Sequence, residues 1–85
     1  MKRENKLYFI IIDKRGNKYL RTYNPALAKA IAFTTEQYYF MFDSTEEGKE
    51  GKKVYSFEYS ERLESIVKML VELHNESLEM KKTHN

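Results

Sequence analysis

The sequence predicts an α+β domain with element order β-β-α-β-β-α, a largely antiparallel four-stranded sheet packed by a short helix and a long C-terminal helix. Three observations predict it. Four short runs rich in Ile, Val, Phe and Tyr are bounded by turn residues, an Asn-Pro step separates them into two pairs, and the last quarter of the chain repeats its apolar residues at helical spacing. At 85 residues the chain is one domain long, and such a domain buries roughly 60–65% of its unfolded surface. Residues 1–6 and 81–85 are expected to be flexible ends.

The first strand is Leu7 to Ile12, apolar at every position. Apolar side chains on both parities predict a strand covered on both faces or placed centrally. Asp13-Lys14-Arg15-Gly16-Asn17 follows, with Asp at a turn start and Gly three positions on, the pattern of a hairpin loop. Lys18 to Tyr23 returns as the second strand, with Tyr19, Arg21 and Tyr23 on one side and Lys18, Leu20 and Thr22 on the other. Asn24 suits a helix N-cap and Pro25 the first helical position, where its missing donor costs nothing. The short alanine-rich helix then runs to about Ala32, and Thr34 and Thr35 favour its end.

Gln37 to Asp43 is the third strand, again apolar on both parities. Ser44 to Gly51 is polar, with two glycines, and predicts an exposed connection. Lys52 to Tyr59 alternates, Tyr55, Phe57 and Tyr59 against Val54, Ser56 and Glu58. Ser60 is a good N-cap for the last helix, with Glu61 and Glu64 near its positive end. At 100° per residue Leu63, Ile66, Val67, Leu70, Val71, Leu73 and His74 share one face. From Glu61 to Met80 that helix spans about 30 Å, against about 17–20 Å for a strand of five or six residues. Its last turns therefore overhang the sheet, leaving Leu78 and Met80 to fray, to pack in a homodimer or to meet a foreign partner.

Composition narrows the function classes. Cysteine is absent, which rules out disulfides and thiolate metal sites and fits a cytoplasmic protein. The apolar run Leu7 to Ile12 is too short for a signal-peptide core or a membrane span. Residues 1–33 carry eight Lys/Arg against two acidic groups, and residues 34–85 carry seven against eleven. Such asymmetry marks an interaction surface only if the halves stay apart in the fold.

No serine elbow, phosphate-binding glycine loop or paired-histidine motif is present. Asp43-Ser44-Thr45-Glu46-Glu47-Gly48 has the start of a calcium loop, but Val54 stands where the bidentate carboxylate belongs. His74 lies on the apolar helix face without a second histidine or nucleophile near it in sequence, and a structural role accounts for it. Neither Asp13 nor Asp43 has a companion acid to raise its pKa. The expectation is a non-enzymatic protein without cofactor or metal.

The aromatic content points to binding. Seven Tyr and five Phe on the plain reading fill a thin core, with tyrosine hydroxyls at its rim, but the strands are too apolar for one face alone and two helices leave part of a sheet face uncovered. The expected partner is a protein or a second copy of the chain, met through Tyr19, Arg21, Tyr38, Tyr55, Leu78 and Met80. The alternative is single-stranded nucleic acid, with exposed rings stacking on bases while Lys18, Arg21, Lys52 and Lys53 meet phosphates.

Asn24-Pro25-Ala26-Leu27-Ala28-Lys29-Ala30-Ile31-Ala32-Phe33, with Lys53-Val54-Tyr55-Ser56-Phe57-Glu58 ahead of the final helix, resembles small uncharacterised proteins of Gram-positive bacteria and their phages. The resemblance covers residues 19–73. It implies an accessory protein of phage or mobile-element origin and carries no activity or site residue with it.

Overall fold

The structure, a computed structural model, describes residues 7–83. The expected flexible ends therefore lie largely outside it, and of residues 81–85 only the backbone of 81–83 is described, as helix. The elements are β1 (Phe9–Ile12), β2 (Lys18–Thr22), α1 (Pro25–Thr35), β3 (Phe40–Asp43), β4 (Lys53–Glu58) and α2 (Glu61–Thr83). The strands form one antiparallel sheet in the order β1-β2-β4-β3. The β-β-α-β-β-α architecture is as expected.

Local chemistry sets the junctions. Between β1 and β2 the Asp13 carboxylate accepts from the Arg15 and Asn17 amides at 2.9 Å each, and Gly16 takes the left-handed conformation that closes the turn (φ 89°). Those amide bonds, the Asn17 one foremost, hold the Asp13 carboxyl below its ordinary pKa. Asn24 Oδ1 accepts from the Ala26 and Leu27 amides at 2.9 and 3.1 Å, with Pro25 opening α1. The helix runs three residues past Ala32. Thr35, expected to favour termination, instead returns its hydroxyl to the Ile31 carbonyl at 2.8 Å, and Glu36 in the left-handed region caps the end. Ser60 Oγ accepts the Leu63 amide at 3.0 Å at the start of α2.

Both helices pack on one face. Register places Ile10, Leu20 and Phe57 in one cross-sheet row, and Thr22, Tyr55 and Met41 in the next. Leu20, Phe57 and Tyr55 meet Leu27 and Ile31 of α1 and Leu63 and Val67 of α2 in the core. Thr22 is a buried polar tie within it. Its hydroxyl donates to the Leu7 carbonyl at 2.6 Å and accepts the Asn24 amide at 3.0 Å, joining the approach to β1, the end of β2 and the start of α1.

Two expectations are corrected. β1 and β3, apolar on both parities, were expected to be central or covered on both faces; they are the two edges of the sheet. The central strands are β2 and β4, and in β4 Val54, Tyr55, Ser56 and Phe57 are all buried although their alternation reads as a one-sided strand. β3 is also shorter than expected and begins at Phe40, every residue exposed.

The helix overhang is present. Leu63 and Val67 are buried and Ile66, Leu70 and Val71 half-buried, but every described side chain from Glu72 to Glu79 is exposed, Leu73, His74 and Leu78 included. A helix of 23 residues is about 35 Å long, well beyond strands of four to six residues. No described helix is long and apolar enough to cross a membrane.

Candidate binding face

The alternation of strand side chains leaves a second sheet face that neither helix touches. Its rows follow from the register: Phe9, Arg21, Ser56 and Phe40 in one, Ile11, Tyr19 and Glu58 in another, and Val54 with Phe42 in a third. Arg21 sits at its centre. Its Nε donates to Ser56 Oγ at 3.1 Å, and its guanidinium carbon lies 5.0 Å from the Phe42 ring centre and 5.6 Å from that of Tyr19. The side chain is thus laid flat across β2, β4 and β3, which is why Val54 and Ser56 beneath it are buried without a helix above. Cation–ring attraction and the Nε bond fix the fork, while no carboxylate among the described residues pairs with it.

Beside Arg21 runs an open groove of about 590 Å³, floored by Phe9, Ile11, Phe42 and Val54. Its far wall is built by the loop between β3 and β4, which was expected to be only an exposed connection. Ser44 is buried there, its amide bonded to the Lys52 carbonyl at 2.8 Å. Tyr23 links that wall to the sheet. Its ring stacks on Phe9 with centres 5.6 Å apart, Lys49 Nζ stands 5.0 Å over it, and its hydroxyl donates to Glu46 Oε1 at 2.7 Å. The Ser44 hydroxyl favours the Tyr23 phenolate, but the Glu46 bond and charge together with desolvation outweigh it and raise the pKa.

The sequence-derived candidates do not form one patch. Tyr19 and Arg21 lie on the open face. Tyr38 stands exposed before β3, and Leu78 on the helix overhang; the Met80 side chain lies outside the described residues. Tyr55 is corrected. It points to the helix side, 9% exposed, edge-on to Tyr39 with centres 5.4 Å apart, so no partner reaches it.

The cations of the nucleic-acid alternative are divided too. Only Arg21 is on the open face. Lys18 lies on the helix side with its Nζ 4.7 Å from the Tyr59 ring centre, Lys53 pairs with Asp43 at 2.6 Å, and Lys52 is in the loop. Phe9, Tyr23, Phe42 and Lys49 were missed as site residues. Alternation along β1 and β3 pointed to the first and third; the fold-back that brings residues 44–52 against Tyr23 left no local signal.

His74 is exposed and lines a small cavity of about 130 Å³ with Leu7, Leu27, Leu70 and Val71. No three His, Asp or Glu side chains among the described residues gather as a metal site. Comparison with protein-family models, curated proteins and solved structures finds no match to this chain.

Proposed function

We propose that the chain is a protein-binding module and that the open sheet face is its binding surface. The observation that carries this reading is Arg21. A guanidinium held flat by Ser56, Tyr19 and Phe42, its fork met by no carboxylate among the described residues and an apolar groove alongside, is prepared for a partner segment that offers a carboxylate next to apolar side chains. Because the side chain is already ordered, binding costs little rotamer entropy. The surrounding charges are mixed, Lys49 against Glu46 and Glu58, which suits a protein surface better than a phosphate backbone. An accessory role in a phage or other mobile element accords with such a module.

The runner-up, single-stranded nucleic acid, draws on Arg21 and the rings of Phe9, Tyr19 and Phe40. One experiment separates them. Captures from the native host with nuclease-treated lysate are compared between the wild-type chain and Arg21→Glu. Proteins held by the wild type and by Leu78→Glu, but lost with Arg21→Glu, support the open face. Captured proteins unchanged by Arg21→Glu would refute it. Binding of single-stranded DNA or RNA that weakens steeply with salt would favour the runner-up.

A further inference from the structure

The edge of β3 borders the open face, to which its Phe40 and Phe42 belong, and its outer side is unusually bare. Edge strands expose a row of backbone donors and acceptors, and proteins blunt them with Lys, Pro, bulges or a covering element. Tyr38-Tyr39-Phe40-Met41-Phe42 contains no such residue; the one charge in β3 is Asp43 at its end, paired with Lys53, and β3 pairs with β4 in unbroken register. The direction of its free groups can be read from the ladder. The Ser44 amide bonds inward to the Lys52 carbonyl, so by alternation the groups of Phe42 and Phe40 also turn toward β4. Those of Met41 and Asp43 turn outward.

We propose that β3 pairs antiparallel with β3 of a second copy, joining two sheets into one of eight strands. With Met41 on the two-fold axis, the two Met41 residues exchange a pair of backbone bonds. Phe40 of each copy then faces Phe42 of the other on the open side, and both faces keep their polarity because residues of equal parity meet.

The area fits this occupant. Tyr38, Phe40, Met41 and Phe42 are 94%, 75%, 55% and 40% exposed. At about 200 Å² per large side chain, roughly 500 Å² is exposed per copy, so the pair can bury at most about 1,000 Å², the lower limit of a specific interface. An interface at that limit is expected to be weak and populated only as concentration rises.

Sedimentation of the full chain over roughly 1 µM to 1 mM covers such weak association. The wild type is expected to pass from monomer to dimer. Met41→Lys, which sets a charge on the edge, and Met41→Pro, which removes only an outward amide, are each expected to stay monomeric while retaining the wild-type circular dichroism. The readout is the mass of the isolated chain with no other protein present, so failure of the open-face reading and failure of this one are told apart. A wild type that is monomeric throughout overturns the proposal. So does a dimer that survives both Met41 variants, or one lost with Leu73→Lys and kept with Met41→Lys, which would move the contact to α2.

Discussion

At one edge of the sheet β1 sets Ile10 beside Leu20 and against the core, and stacks Phe9 on Tyr23; at the other, β3 leaves Phe40, Met41 and Phe42 to solvent. The two strands have nearly the same apolar character, so composition does not decide their burial. The reach of the helices does. α2 extends to the approach of β1, where Leu7 shares a cavity with Leu70, Val71 and His74. Thr22 ties that same segment down through the Leu7 carbonyl. α1 is eleven residues long and buries only Leu27, Ala28 and Ile31. It packs on β2 and α2, while Tyr39 from the segment after it covers Tyr55 and Phe57 of β4, and Met41 is left exposed.

The comparison breaks most readily at Thr22. Valine there keeps the volume but leaves the Leu7 carbonyl and the Asn24 amide without their buried partner, a loss of about 1–3 kcal/mol. Chemical denaturation measures the total, and amide exchange locates it. Protection is expected to fall in β1 and the first turn of α1 and to hold in β4. A uniform loss across the sheet would mean that β1 is not separately tethered.

The next effect contrasts equivalent positions. Ile10 and Met41 both point to the helix side from an edge strand. Ile10→Ala is expected to cost about 1–2 kcal/mol, less than the ~2–5 of a fully buried site because it is only partly covered. Met41→Ala is expected to stay within about 0.5 kcal/mol at micromolar protein. Should the Met41 cost rise with protein concentration, the edge is being covered by a second copy.

Much of this was legible in the sequence, and the illegible part has a physical cause. Asn24-Pro25, Asp13 with Gly16, and Ser60 act within a few residues of themselves, so the turns and caps could be read locally. The core stripe Leu63, Val67, Leu70 followed from period alone. Strand order did not, because apolar alternation is the same whether a strand is covered or bare, and β4 hides its open-face Val54 and Ser56 under a side chain from β2. The site suffered most from this. Tyr19 and Arg21 were readable from their parity, whereas Tyr55, on the opposite parity of its own strand, needed the register to place it among the helices.

The smallest effect is a titration on the covered side. The Tyr59 hydroxyl donates to Glu64 Oε1 at 2.5 Å, and that bond, with desolvation and the Glu64 and Glu61 charges, pushes its pKa from 10.0 up to about 12. Desolvation first, and then Glu64, also raise Tyr8. The folded value for Tyr59 exceeds the unfolded one, so its stabilising contribution is complete below pH 10 and is lost as pH climbs from there through about 12. Ultraviolet phenolate titration is expected to show a late step near pH 12 that Tyr59→Phe removes. Glu64→Gln keeps an acceptor but discards the charge, and should draw that step down toward the ordinary value. A step that stays put in Glu64→Gln would assign the shift to the retained hydrogen bond and to desolvation, and would mean that the junction of β4 and α2 does not depend on the Glu64 charge.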